Sequence, residues 1–115
     1  MEYMLLIHAD PTAFAALTPA ENDAAMTAYA AYSEALVKAG LMRGGARLRP
    51  GDMSTTVRVR GGKTEVLDGP FIETREQLGG YFLIDVPDLD AALSWAARCP
   101  GAHHGTVEVR PVWPT

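Results

Sequence analysis

The segment from Asp68 to Tyr81 constrains the fold most, because it joins a rigid turn, a charged bend and an apolar strand with no linker residues between them. Its first residues, Asp68-Gly69-Pro70, are typical of a tight turn: Asp can bond the backbone two residues on, Gly takes backbone angles that other residues avoid, and Pro fixes its own φ. Its last residues, Gly79-Gly80, lead directly into the strand that begins at Tyr81. We therefore expect this segment to mark a small-molecule cleft.

Length and composition exclude several classes of protein. At 115 residues and 48% hydrophobic content, the chain fits one domain, residues 1–115, with one core. A balance of 10 basic against 14 acidic residues gives a net charge of -4, which disfavours a nucleic-acid partner. The apolar run Tyr3 to Ile7 is too short for a membrane span and follows no basic region, so we expect a cytoplasmic protein with no membrane partner.

Alternating and helical patterns predict the order of the elements. Thr18-Pro19-Ala20-Glu21 is a capping box with Pro at the first helical position, and Asp88 is a second helix cap. Gly61-Gly62 predicts a hairpin turn, Gly44-Gly45 predicts a bulge or a close backbone approach, and Asp10-Pro11 predicts a loop. The buried stripe of the second helix is expected to be Leu89, Ala92, Leu93, Ala96 and Cys99. The predicted strands are Met1–His8, Leu41–Leu48, Ser54–Arg60, Lys63–Leu67, Leu78–Val86 and Gly105–Val112, and the predicted helices run from about Pro19 to Ala39 and from Asp88 to about Cys99.

This order predicts an α+β fold of the ferredoxin-like split βαβ type, with an antiparallel sheet, an additional hairpin and two helices on one face. The first strand is apolar on both sides, yet two helices can cover only one face of the sheet. We expect the uncovered face to be hidden by a second copy of the chain in a symmetric homodimer, sheet against sheet. A different partner for that face is the alternative.

Two residues are candidates for catalysis. Asp68 lies at the end of a short strand beside the Gly-Pro turn, where a carboxylate can act as acid, base or ligand anchor. The alternative is a local bond from Asp68 to the backbone of its own turn. His8 ends a strand that we expect to be central, and its imidazole can titrate near neutral pH. The alternative for His8 is a hydrogen-bonded packing residue.

Four residues are candidates for binding a ligand. Glu108 and Arg110 share the face of the last strand opposite to Val107 and Val109, so they point toward the helix-free side. A free Arg suits a carboxylate or enolate ligand. Tyr81 and Glu76 are the other candidates, although charge runs such as the one around Glu76 are usually solvated.

No metal or cofactor is expected. His103-His104 has no carboxylate or Cys at metal-ligand spacing, and Cys99 is interpreted as a small core residue. The chain also has no Gly-rich phosphate loop, nucleophile elbow or paired Cys motif.

The same residues carry a resemblance that covers essentially the whole chain. The run Asp68-Gly69-Pro70-Phe71, with its continuation from Glu73 to Tyr81, is similar to the motif of DGPF-type proteins in the YCII-related domain family. The opening Tyr3 to Ile7 and the closing Gly105 to Pro111 also resemble the ends of that family.

The resemblance implies a dimeric α/β barrel made of ferredoxin-like halves, with a cavity that accepts compact substrates. It implies a cofactor-free acid/base enzyme of the isomerase, lyase or dehalogenase type, acting on a small polar or aromatic molecule. In that reading Asp68 is acid or base, Arg110 holds an anionic group, and His8, Tyr81 or Glu76 assists. The alternative is a non-catalytic ligand-binding or regulatory module, linked to transcription through a sigma-factor partner.

Overall fold

A computed structural model describes residues 1–114 of the chain. It contains six strands and three α-helices in the order β1 (Glu2–Ala9), α1 (Pro11–Ala15), α2 (Pro19–Lys38), β2 (Met42–Arg47), β3 (Thr55–Arg60), β4 (Lys63–Asp68), β5 (Gln77–Asp85), α3 (Leu89–Arg98) and β6 (Thr106–Pro111). Short 3₁₀ helices cover Gly51–Met53 and Pro100–His103. The predicted α+β class and its ferredoxin-like order are confirmed.

The central sheet has the strand order β2-β5-β1-β6, and its neighbouring strands are antiparallel. Adjacent glycines let β2 and β5 approach closely: a Cβ at Gly80 would lie 2.8 Å from the Ala46 carbonyl oxygen, and one at Gly45 would lie 3.0 Å from the Tyr81 carbonyl oxygen. The register of β2 also shifts between Met42 and Gly44. Both the irregularity and the close approach expected of the Gly44-Gly45 pair are confirmed.

The core lies between one face of this sheet and helices α2 and α3. Side chains that alternate along β1 and β5 meet α2 residues and small α3 residues there; the buried set comprises Tyr3, Leu5, Ile7, Tyr32, Leu36, Phe82, Ile84, Val86, Ala92, Ala96 and Cys99. The Tyr32 hydroxyl donates to the Trp95 carbonyl oxygen at 2.7 Å, which joins the two helices. Desolvation raises the pKa of the Cys99 thiol, as expected for a core residue.

Helix α2 begins as predicted, because Thr18 and Glu21 form the complete capping box. Two local expectations were wrong. The segment after Asp10, expected to be a loop, forms α1, which Asp10 caps by accepting from the Thr12 N–H at 2.9 Å. Leu89 and Leu93, assigned to the buried stripe of the second helix, are exposed, because the small side chains of α3 face the sheet instead.

The other side of the sheet, here called the open face, has no helix on it. It carries the half-buried side chains of Met4 and Leu6 from β1 and of Tyr81 and Leu83 from β5, which are paired across the two strands. Glu108 and Arg110 of β6 pair with Leu6 and Met4 and share this face, as predicted. The expected imbalance between the two faces is therefore present.

Strands β3 and β4 form a separate two-stranded sheet, here called the arm (Thr55–Asp68). Gly61 and Gly62 both have positive φ, as a two-residue hairpin turn of this hand requires, so the predicted turn is confirmed. The arm makes the molecule flat, with extents of 47 × 43 × 18 Å. The radius of gyration is 16.0 Å, whereas a compact domain of this length has about 13 Å. Within residues 1–114, every helix is too short or too polar to span a bilayer.

The core assignment predicts different effects for two adjacent residues of α2. Leu36 is fully buried and Val37 is 62% exposed. We expect Leu36→Ala to lower the free energy of unfolding by about 2–5 kcal/mol, because it leaves a cavity between α2 and the sheet. We expect Val37→Ala to change it by no more than about 0.5 kcal/mol. Urea unfolding at one fixed protein concentration measures both, and equal losses would contradict the assignment.

Candidate functional site

A cleft of about 1050 Å³ lies where the open face meets the connections to the arm. One wall comes from the ends of the central strands and carries His8, Leu78, Thr106 and Glu108. The opposite wall comes from the segments that enter and leave the arm, residues 48–56 and 70–77. The segment that begins at Asp68 does therefore border a cleft, on its sheet-facing side.

The polar centre of this cleft is a row of three side chains from two neighbouring strands. Arg110 donates from Nε to Oε2 of Glu108 at 2.9 Å, and its terminal nitrogen donates to the same oxygen. The other carboxylate oxygen of Glu108, Oε1, lies 3.5 Å from Nε2 of His8. Glu108 thus bridges a guanidinium and an imidazole, and the row lies along the edge of the cleft.

Electrostatics keep the bridging carboxylate ionised. The hydrogen bond from Arg110 holds the pKa of Glu108 below its usual range. Desolvation acts in the opposite direction, and the charges of Arg110 and His8 lower this pKa further. The ionised Glu108 orients the ring of His8 across their 3.5 Å contact. Nδ1 of His8 makes no hydrogen bond to any residue of the described chain, which leaves it free for a ligand.

A second carboxylate lines the same cleft. Thr106, which is the β6 partner of His8, donates from Oγ1 to Oε1 of Glu76 at 2.7 Å. Glu76 precedes β5 and is half-buried. The cleft therefore holds an imidazole and two carboxylates, of which one is held by an arginine and the other by a hydroxyl.

The rest of the large cleft combines apolar side chains with polar ones, which are Arg49, Ser54, Thr55, Thr56, Thr74 and Gln77. Its walls include the side chains of Leu48, Met53, Phe71, Ile72 and Leu78. All five remain substantially exposed, and Phe71 is 71% exposed. A ligand with an apolar or aromatic body would cover these surfaces.

Asp68 lies in a different, smaller cleft of about 530 Å³, together with Asp52, Glu73 and Arg75. Its turn is closed by other groups: the Gly69 N–H donates to the Ser54 carbonyl oxygen at 2.7 Å, and the Thr56 hydroxyl donates to the Gly69 carbonyl oxygen at 2.7 Å. Among residues 1–114 the Asp68 carboxylate makes no hydrogen bond to this turn.

The two catalytic candidates are thus on different clefts. Pro70, Thr74 and Gln77 line both clefts and form the ridge between them. The geometry therefore does not bring Asp68, His8 and Arg110 together in one pocket.

The ligand-binding candidates also do not all lie on one cleft. His8, Glu76 and Glu108 line the large cleft, and Arg110 reaches it only through Glu108. Tyr81 lies on the open face, opposite Leu6 and Ala46, and lines neither cleft. No group of three or more His, Cys, Asp or Glu side chains within the described residues could hold a metal ion.

Comparison with known proteins agrees with this fold. The model of the YCII-related domain matches residues 1–115. The chain belongs to the YCII-related domain family. It is also similar to an uncharacterized protein, R00369, of Rhizobium meliloti (strain 1021), with 39% identity over 114 residues that cover 97% of this chain and 92% of that relative.

For this YCII-related protein, sequence reasoning missed two contributors to the site. Thr106 is two residues before Glu108 on the same strand, so strand alternation alone places both on one face. Arg75 was not among the candidate site residues, yet its Nε lies 3.5 Å from Oδ2 of Asp10, the cap of α1. No local pattern could identify that contact, because it joins residues that are distant in the sequence.

The row of charges predicts how Glu108 titrates. We expect Arg110→Gln to raise the pKa of Glu108 toward its ordinary value of 4.5, because the variant loses the charged donor. Carboxyl ¹³C chemical shifts followed against pH measure this midpoint. Arg43→Gln is the matched control, since Arg43 pairs with Asp85.

The same pair predicts a pH dependence of stability. The folded-state pKa of Glu108 is depressed. The contribution of the Glu108–Arg110 pair to the free energy of unfolding is therefore present above pH 4.5 and is lost as the pH falls through the folded-state pKa. The difference in stability between wild type and Arg110→Gln should therefore shrink in acid. A Glu108 midpoint that is unchanged by Arg110→Gln would contradict this assignment.

Proposed function

We propose that this YCII-related protein, which we group with the DGPF-type members, is an acid/base enzyme that acts on a small molecule bound in the large cleft. The observation that carries the proposal is the row His8, Glu108 and Arg110 along the edge of that cleft, with a distance of 3.5 Å between imidazole and carboxylate. Because its single cysteine, Cys99, is a buried free thiol, we also propose a cytoplasmic location.

His8 is the proposed proton-transfer group. As a neutral imidazole it accepts a proton from the ligand at Nδ1, and the resulting positive charge is stabilised by Glu108. Arg110 acts as a positioning residue, since its donors engage Glu108 instead of a ligand. Arg110 was expected to hold an anionic group of a ligand, whereas in this proposal it holds Glu108.

Glu76 is the second group that can exchange a proton with a ligand in this cleft. The Thr106 hydroxyl fixes one of its carboxylate oxygens. A base and a second proton donor on one substrate fit an isomerase or lyase reaction, in which one carbon loses a proton and another atom gains one. The apolar walls fit a compact aromatic or aliphatic body.

Asp68 remains the alternative catalytic group. The smaller cleft around it is more acidic, with Asp52 and Glu73 beside it, and offers few apolar surfaces for a ligand. This arrangement favours His8 over Asp68 as the group that carries the chemistry.

We also propose that the open face is covered by a second copy of the chain. Met4, Leu6, Tyr81 and Leu83 are left half-exposed on a face that no helix covers. A symmetric, self-complementary contact would bury this face in both copies at once. The large radius of gyration for this chain length supports the same conclusion.

The proposed catalytic role of His8 predicts different effects on kcat for substitutions of His8 and of Asp68. A thermal-shift screen of a metabolite library identifies stabilising compounds, and mass spectrometry then detects any product. We expect His8→Gln to lower kcat by about 10²- to 10⁴-fold with little change in ligand binding, as expected for the loss of a general acid/base. We expect Asp68→Asn to leave kcat within about threefold.

His104→Gln is the matched control, because His104 is exposed and lies outside the cleft. Binding without turnover would favour a ligand-binding or regulatory module, including one linked to a sigma factor. A loss of turnover in Asp68→Asn, with His8→Gln unaffected, would move the chemistry to the smaller cleft.

Dimerisation is tested separately. We expect light scattering after size exclusion to give twice the monomer mass at micromolar concentration, and we expect Leu83→Lys to give a monomer, because it places a charge at the centre of the open face. Leu93→Lys on α3 is the control, since Leu93 is already exposed on the helical side. A wild-type monomer would contradict the proposal.

A further inference from the structure

The arm has one apolar face that stays largely exposed within the described residues 1–114. Val57 and Val59 alternate along β3, and Val66 is the β4 partner of Val57, so all three side chains share one face, here called the valine face. Their exposed fractions are 59%, 58% and 61%. Neither strand of the arm pairs with the central sheet.

The opposite face of the arm is charged. Arg58 lies across from Glu65 and forms an ion pair with it at 3.4 Å, and Arg60 lies across from Lys63 at the tip. The arm is therefore amphipathic, in the way that antiparallel strands are when one side packs on a core and the other faces water. A two-stranded hairpin is at best marginally stable without a surface to pack on. Packing of the valine face on another surface would therefore stabilise the arm.

The position of the arm indicates where that partner sits. Ser54, Thr55 and Thr56 at the base of the arm line the same cleft as His8 and Glu108 of the open face. The base of the arm and the open face are therefore parts of one continuous surface. A molecule that covers the His8 end of the open face would therefore lie beside the base of the arm.

The dimensions of the arm fit a second copy of this chain. Each strand of the arm has six residues and is about 20 Å long at 3.3 Å per residue. The outer strands of a four-stranded sheet are about 14 Å apart, given a spacing of about 4.8 Å. One arm is therefore long enough to cross the whole sheet of another copy.

The charges of the open face are also compatible with an apolar occupant. Asp85 is paired with the amino terminus at 2.8 Å and with Arg43 at 3.5 Å, and Glu108 is paired with Arg110. Asp85 and Glu108 therefore already have partners when an apolar surface packs between them. Glu2, the β1 partner of Asp85, lies at the outer end of this face. The half-buried side chains in the middle of the face are apolar or aromatic.

We propose that, in the homodimer proposed above, the valine face of each arm packs on the open face of the other copy and closes its large cleft. The inference rests on that dimer and adds what the partner contributes to the site. The apolar walls around Phe71 and Ile72, open to solvent in the single chain, would then be covered by the arm of the partner. Each cleft becomes a chamber built from two chains, and a twofold axis makes the contact twice.

The direct test uses the unmodified protein. Mixed dimers of uniformly ¹³C,¹⁵N-labelled and unlabelled chains allow isotope-filtered NOEs to be measured between the copies. We expect NOEs from the methyl groups of Val57, Val59 and Val66 in one copy to the aromatic protons of Phe71 or Tyr81 in the other. Sheet packing without arm packing would give intermolecular NOEs among Leu6, Tyr81 and Leu83 and none from the arm, which would overturn the inference.

A variant provides the second test. Thr keeps the shape and strand preference of Val while adding a hydroxyl, so the triple variant Val57→Thr, Val59→Thr, Val66→Thr retains the hairpin. We expect it to raise the dimer dissociation constant at least tenfold in sedimentation equilibrium. The control, Arg60→Thr with Lys63→Thr on the charged face, should change that constant by less than about threefold.

These outcomes separate the two proposals. If Leu83→Lys dissociates the dimer while the valine variant leaves the dissociation constant unchanged, the arm inference is wrong and the dimer stands. If the wild-type protein is a monomer, both are wrong. If the charged-face control weakens the dimer as much as the valine variant does, the arm contacts its partner through the other face, and the inference is again wrong.

Discussion

Helices α2 and α3 pack on the same face of the central sheet, and the rest of the structure depends on this one-sided packing. Because successive residues of a strand point to opposite faces, the burial of Leu5 and Ile7 under the helices places Leu6 and His8 on the open face. The same rule places Glu108 there from β6. The polar groups of the candidate site therefore lie on the side of the sheet that the chain leaves uncovered.

Much of this fold could be predicted from sequence because its signals are local. The capping box at Thr18, the paired glycines of the arm turn and the alternation along β1 each specify an element without reference to the rest of the chain. The exposure of Leu89 and Leu93 could not be predicted in this way. An amphipathic helix can rotate about its axis, and the small residues of α3 face the sheet because they let the helix pack closely.

The candidate site was predicted less completely, because its geometry depends on strand register and on the direction of the arm. Alternation predicts that Glu108 and Arg110 share a face, but only the pairing of β1 with β6 brings Glu108 next to His8. The β1–β5 register shifts between Ile7 and His8, an irregularity that no local pattern specifies. Asp68 and His8 were each selected as catalytic candidates on local grounds, but Asp68 belongs to the arm, whose direction sequence cannot give.

The proposed arm of the partner would also supply the wall that the large cleft lacks in the single chain. Acid/base chemistry by an imidazole and a carboxylate is more effective where water is excluded, because their mutual attraction increases as the local dielectric falls. In the single chain, Glu108 lies between Arg110 and His8 but is partly exposed to solvent, so its attraction to His8 is weakened by screening. A cover that comes from another copy would strengthen this contact only in the assembled protein. Assembly and proton transfer would then be coupled through the same surface. A chain that cannot dimerise would still fold, but it would bind its ligand weakly and turn it over slowly.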